Sequence, residues 1–171
     1  QNMPHVESYF GHLGEVKLMA GREIDRQAIQ GAEILLVRSV TQVNQSLLEE
    51  SSVRFVGSAT AGTDHVDLNY LKKNNIQFAY APGCNAEAVV QYALSVFSRL
   101  KPQWLNSKVG IIGCGNVGSR LYQKLVALGV DCRVYDPFLS PSQIPDLVSF
   151  NEVLDCDIIS LHTPLTTDGE F

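Results

Sequence analysis

The chain has 171 residues, 45% of them hydrophobic, enough for one or two compact units with sizeable cores. Thirteen Lys and Arg against 18 Asp and Glu leave a net charge of -5, which argues against the basic face that nucleic-acid binding needs but not against a site for one small anion. No apolar run approaches the roughly 18 residues that span a bilayer, and no charged stretch followed by an apolar one opens the chain as a secretory leader would.

In chain order, residues 15–19 (EVKLM) read as a short strand. Residues 33–38 (EILLVR) read as a strand covered on both faces, because the apolar run does not alternate. A helix is expected over 45–50 and a strand over 53–58 (VRFVGS), followed by a small-residue loop at 59–64 (ATAGTD). A helix over 65–73, with Asp64 as candidate cap, stops at Asn74-Asn75. A strand over 76–80 is broken by Pro82-Gly83. Asn85 can then cap a long helix through its side-chain oxygen, with Glu87 on the positive end of the dipole and Lys101-Pro102 closing it after Leu100.

From Lys108 the rhythm restarts. A strand at 109–112 leads to a helix over 116–128 that carries Val117, Leu121, Leu125 and Leu128 on one face and ends at Gly129. A strand at 130–135, a short helix at 151–154 and a strand at 157–162 (DIISLH) follow. Repeated strand–helix–strand units predict an α/β fold with parallel sheets. The units divide near Cys84 into residues 1–84 and 85–171. The absence of a starting Met, of a strand before the first helical stretch and of more than three strands in the second sheet predicts a piece of a longer protein.

Cys84, Cys114, Cys132 and Cys156 form no Cys-x-x-Cys pair. The last three read as small buried hydrophobes, and the usage fits a reducing cytoplasm. His5, His12, His65 and His162 share no metal-ligand spacing, so no metal is expected.

The motif with the most chemistry is Gly113-Cys114-Gly115-Asn116-Val117-Gly118, a Gly-x-Gly-x-x-Gly run. Alone the pattern is weak, but here it follows a strand and opens an amphipathic helix. Gly113 permits the tight turn, Gly115 lets a pyrophosphate approach the backbone, and Gly118 lets the helix pack close to its strand. The helix N-terminus offers unpaired N–H groups and a positive dipole end. Asp136, 18 residues after Gly118 at the end of the next strand, has the spacing of an acid that accepts hydrogen bonds from the adenosine ribose. It would repel a 2′-phosphate, so NAD is expected over NADP. Thr163, in His162-Thr163-Pro164 at the end of a later strand, is placed to touch the cofactor. Ordinary strand-ending chemistry explains a Thr-Pro there equally well. The candidate cofactor set is therefore Gly113, Gly115, Asn116, Val117, Gly118, Asp136 and Thr163.

The runs VGIIGCGNVG (109–118), YDP (135–137) and HTPL (162–165) resemble the D-isomer-specific 2-hydroxyacid dehydrogenases. NMP (2–4), VRSVTQVN (37–44), FVGSATAGTDHVD (55–67) and APGCNAEAVVQY (81–92) narrow the resemblance to members that act on a small phosphorylated hydroxy acid. The resemblance implies a flavodoxin-like substrate-binding domain over 1–84, its first strand lying before Gln1, and the N-terminal half of a Rossmann NAD-binding domain over 85–171. It also implies a cytoplasmic homodimer held through the cofactor domains.

Ser39 and Thr60 match the family's substrate-binding positions. Both follow strand ends, where their hydroxyls and neighbouring N–H groups could hold a carboxylate or phosphate, although Ser and Thr also commonly satisfy loop backbone. Arg38 could add positive charge or pair structurally. The family's catalytic arginine, glutamate and histidine fall beyond Phe171, so no catalytic residue is expected within the chain. His65 and His162 match no catalytic position, and His5 and His12 read as solvated residues of the first helical stretch. Two alternatives stand beside this reading: a sister enzyme acting on 3-phosphoglycerate or another D-2-hydroxy acid, and a dinucleotide-sensing interaction module on the same fold.

Overall fold

The computed structural model describes residues 3–164. Asn2 of the NMP run and Leu165 of the HTPL run lie outside the described residues. The chain divides into two compact units, Gln1–Cys84 and Asn85–Phe171.

In the first unit α1 (Val6–Phe10) precedes three parallel strands, β1 (Ile34–Val37), β2 (Phe55–Ser58) and β3 (Gln77–Tyr80), which lie side by side in sequence order. Val37 stands opposite Ser58 and Ser58 opposite Tyr80, so the three strands end at one level. α2 (Gln45–Leu48) and α3 (Leu68–Lys73) supply Leu47, Leu48 and Leu71 to a core shared with Leu35, Val37, Val43, Val53 and Val56.

Three expectations for this unit need correction. Residues 15–19 form no strand, because an apolar run becomes a strand only when a ladder takes up its backbone groups, and here none does. α3 begins at Leu68 rather than at 65, because the backbone on either side of Val66 is engaged by Val43: Val43 N donates to His65 O at 2.8 Å and Asp67 N to Val43 O at 2.8 Å. Its cap is accordingly Asp67, whose Oδ1 accepts from Tyr70 N at 2.9 Å, and not Asp64. His5 precedes α1 in a left-handed conformation (φ 65°), and His12 lies in the turns after that helix.

In the second unit the long α4 (Ala86–Leu100) leads through a 3-10 turn at Trp104–Asn106 to β4 (Val109–Ile112), α5 (Gly118–Ala127), β5 (Cys132–Tyr135), α6 (Phe150–Leu154) and β6 (Ile158–Leu161). The strands are parallel in the order β5-β4-β6, so the chain lays β5 on one side of β4 and then crosses to place β6 on the other. Val90, Phe97, Trp104, Val109, Ile111, Leu121, Leu125 and Val134 form the core. An ion pair of 2.8 Å between Lys124 and Glu87 ties α5 to α4.

Asn85 does precede α4, but its side chain makes no capping bond. Its backbone (φ −104°, ψ 3°) lacks the extended geometry that aims a capping oxygen at the first-turn amides. α6 carries a full capping box instead, with Ser149 N donating to Glu152 Oε2 at 3.0 Å and Glu152 N to Ser149 Oγ at 3.4 Å. Cys114 and Cys132 are buried as expected, whereas Cys156 is only half-buried.

Candidate cofactor and substrate loops

The order of the second sheet reverses at β4, and in open parallel sheets the crevice for a ligand lies beyond the carboxyl ends of the strands at such a point. The glycine loop leaves β4 there. Gly113 has φ +86°, and a Cβ on it would stand 2.9 Å from the carbonyl carbon and oxygen of His162 and 2.8 Å from Thr163 Cγ2. Gly113 therefore lets the end of β6 pack against the end of β4, which places Thr163 beside the loop. A Cβ on Gly118 would collide with the Gly113 carbonyl oxygen, so the third glycine sets how closely α5 approaches the turn. Gly115 differs from both, since its missing Cβ would point into open space.

Gly113 N donates to Tyr135 O at 2.9 Å and Cys114 N to Asp136 Oδ2 at 2.8 Å. Among the described residues, the next four N–H groups (Gly115, Asn116, Val117 and Gly118) donate to no backbone oxygen. They are the orphan amides of a helix start: Gly115 and Asn116 are exposed in the loop, Val117 is the half-buried cap and Gly118 is the buried first residue of α5, so the row leads into the positive end of the α5 dipole. Asn116 lies in this loop rather than in the helix, which starts at Gly118. Asp136 closes the constellation. One carboxylate oxygen holds the loop through Cys114 N and the other accepts from Phe138 N at 3.0 Å, so the side chain is fixed in orientation while staying half-exposed. Burial, and after it the Asp136 charge, pushes the Cys114 thiol up, which favours the protonated form. The structure thus brings the seven candidate cofactor residues to one sheet end. A dinucleotide fits there by the available amides and by the space a Cβ on Gly115 would fill.

In the first unit Ser39 and Thr60 lie two residues beyond the paired Val37 and Ser58, on adjacent strand ends. Ser39 is exposed in the turn closed by Thr41 N and Arg38 O at 3.1 Å. Thr60 belongs to a loop with a one-sided pattern of hydrogen bonds. Thr60 O accepts from Ala81 N, Thr63 O from Val66 N and His65 O from Val43 N, at 2.8 to 3.1 Å. Gly62 O accepts from the Thr60 hydroxyl at 2.8 Å. Yet among the described residues the amides of Thr60, Ala61, Gly62, Thr63 and Asp64 donate to no backbone oxygen. Turning carbonyls to partners and leaving amides unengaged suits an anion.

In this geometry the Thr60 hydroxyl donates to Gly62 O, so it could meet a ligand only as an acceptor. Sequence reading also missed two members of this cluster. Ser58 and His65 are both 5% exposed, and the His65 Nε2–Ser58 Oγ distance of 2.8 Å links them beneath the loop. The exposed carboxylate of Asp64 lies 3.6 Å from where a Gly62 Cβ would be. His162 pairs with Ser160 Oγ at 2.9 Å through Nε2. Burial lowers the pKa of both imidazoles, with Asp64 partly opposing the shift at His65. Among the described residues no three His, Cys, Asp or Glu side chains converge as metal ligands, and no helix is long and apolar enough to cross a membrane.

The model of the D-isomer specific 2-hydroxyacid dehydrogenase catalytic domain matches residues 2–165. The chain is 50% identical over 171 residues to the erythronate-4-phosphate dehydrogenase of Cellvibrio japonicus, covering 100% of this chain and 45% of that protein. It is 52% identical over 174 residues to the erythronate-4-phosphate dehydrogenase of Saccharophagus degradans, covering 99% and 46%. Among solved structures it resembles the NAD+-bound 3-phosphoglycerate dehydrogenase of Entamoeba histolytica, with a TM-score of 0.72, 26% identity, and coverage of 90% of this chain and 54% of that one. The chain therefore spans about half the length of the curated relatives it matches. A parallel α/β fold with a glycine loop at its switch point and a match along nearly all of its length place the chain in the D-isomer specific 2-hydroxyacid dehydrogenase family.

Proposed function

We propose that the protein carrying this chain is an NAD-dependent dehydrogenase that oxidises 4-phospho-D-erythronate to (R)-3-hydroxy-2-oxo-4-phosphooxybutanoate, a step toward pyridoxal phosphate. The observation that carries the dehydrogenase reading is the loop after β4, with four unengaged amides at 115–118 beside a carboxylate held in place by Cys114 N. When bound, NAD supplies the hydride acceptor. Gly115, Asn116, Val117 and Gly118 take the pyrophosphate through their amides, Gly113 and Thr163 shape the wall, and Asp136 accepts from the adenosine ribose. The Asp136 charge selects NAD by repelling a 2′-phosphate.

Residues 1–84 act as the substrate-binding domain in this reading, and residues 85–171 as the first half of the cofactor domain. The amides of the 60–64 loop and the hydroxyl of Ser39 receive an anionic group of the acid, and Thr60 holds the loop in shape. Identity of about half over the whole chain to erythronate-4-phosphate dehydrogenases supports this substrate over the phosphoglycerate of the more distant relative. No proton-transfer role falls to His65 or His162, whose Nε2 atoms are engaged by serine hydroxyls. A cytoplasmic homodimer is the proposed state, supported by four free cysteines and by the exposed Tyr92 and Leu100 of α4. Following NADH formation with 4-phospho-D-erythronate, 3-phosphoglycerate and D-lactate tests the proposal. Turnover confined to the first is expected. Turnover with another acid would replace the substrate, and NAD binding with no turnover on any would favour a dinucleotide-sensing module.

A further inference from the structure

Beneath the 60–64 loop lies a run of hydrogen bonds whose direction can be worked out by counting hydrogens. A hydroxyl has one hydrogen to give. That of Thr60 goes to Gly62 O, a carbonyl that can only accept, at 2.8 Å. The 2.6 Å contact between Thr60 Oγ1 and Ser58 Oγ must then use the hydrogen of Ser58. With that hydrogen committed, the 2.8 Å contact between Ser58 Oγ and His65 Nε2 must be donated by the imidazole. The opposite tautomer, with Nε2 bare, would ask Ser58 to donate twice or leave two lone pairs facing each other in a buried site. Such an unpaired arrangement is strongly disfavoured where Ser58 and His65 are each 5% exposed.

We propose that His65, as its Nε2–H tautomer, is a positioning residue that starts a one-way relay through Ser58 and Thr60 to Gly62 O, which holds the loop amides aimed at the substrate's anionic group. The proposal rests on the substrate reading of this loop. Ser58 is the last residue of β2 and is fixed by the sheet, whereas Thr60 to Asp64 has no ladder of its own. The relay therefore carries the rigidity of the strand end into the loop. His65 is itself anchored, because its carbonyl accepts from Val43 N at 2.8 Å. The count requires only a hydrogen on Nε2, and the lowering of its pKa by burial favours the neutral ring over the imidazolium that would also carry one.

The first test needs no substitution. In the protein with 15N-labelled histidine, long-range proton–nitrogen correlations distinguish the two neutral tautomers. His65 is expected as Nε2–H, and Nδ1–H would overturn the relay. The second test is kinetic. His65→Leu removes the donor and should raise KM for the hydroxy acid about tenfold while leaving kcat and KM for NAD within about twofold. His65→Gln, which can present a donor at the same reach, should restore KM to within about twofold. Ser58→Ala should match His65→Leu, and the double variant should be no worse than either, because one relay is broken once. A change in kcat instead of KM, or additive effects, would overturn the positioning role while leaving the substrate reading in place. If the unmodified protein oxidises no 2-hydroxy acid, the substrate reading falls and the positioning role with it, whereas the tautomer still decides the relay. Should His65→Leu fail to fold, the tautomer and the His65→Gln and Ser58→Ala kinetics carry the decision.

Discussion

The loop after β4 and the loop after β2 both present unengaged amides beyond a parallel strand end, yet they are shaped by different means. The first is shaped chiefly by what is missing: Gly113 and Gly118 sit where any Cβ would meet backbone, and Asp136 fastens the resulting turn through Cys114 N. The second is shaped by what is present, a row of polar side chains from His65 to Thr60 passing beneath it. A turn built on backbone contacts tolerates almost no substitution at Gly113 and Gly118. A loop built on hydroxyls should degrade in steps, one hydrogen bond at a time.

Substitution should expose that contrast. Gly118→Ala is expected to have the largest effect, on the order of 3 kcal/mol of stability, because the obstructing atom is the Gly113 carbonyl and cannot move cheaply. Gly115→Ala has open space and should leave thermal stability unchanged while weakening NAD binding about tenfold by calorimetry. Equal loss of stability in both variants would break the steric account of the first loop.

Asp136→Ala comes next. It deletes the acceptors for Cys114 N and Phe138 N and should cost about 2 kcal/mol in denaturant unfolding. It should also narrow the preference for NAD over NADP, and an unchanged preference would remove Asp136 from the ribose site. Thr60→Val keeps the shape of the side chain and removes the hydroxyl, so a loss of about 1 kcal/mol is expected, largely recovered in Thr60→Ser.

The smallest expected effect is on pH dependence. The folded pKa values of His65 and His162 are lowered by burial, so the unfolded chain binds protons more readily. Their contribution to stability is complete above about pH 6.5 and is lost as pH falls from there through the lowered folded values. Glu152 and Asp157, whose carboxyls are held low chiefly by hydrogen bonds from Ser149 and from Lys108 N, act only at more acid pH. Thermal melts between pH 5 and 7 should show the decline, and His65→Gln should flatten it in part.

The two loops also differ in how far they can be read without a structure. The glycine spacing, the apolar strand before it and the acid after the next strand are all local, and each has one steric or electrostatic reason to exist. EILLVR does form β1, but the expectation that both its faces are covered needs correction: Leu35 and Val37 are buried, whereas Ile34 on the opposite face is 43% exposed. The Ser149-x-x-Glu152 capping box is equally local. What sequence could not supply was pairing at a distance. Residues 15–19 have the composition of a strand but no ladder. His65 and Val66 fit a helical pattern until Val43 claims the backbone on either side of Val66, which moves the cap from Asp64 to Asp67. The Thr60 hydroxyl looks available until its hydrogen is traced to Gly62 O.

A crystal structure of the protein with NAD and 4-phospho-D-erythronate would test the account most directly. The pyrophosphate is expected on the amides of residues 115–118, the adenosine ribose on Asp136, and an anionic group of the acid on the amides of the 60–64 loop with Thr60 still donating to Gly62 O. A dinucleotide bound away from the glycine loop, or an acid that leaves the 60–64 amides untouched, would contradict it.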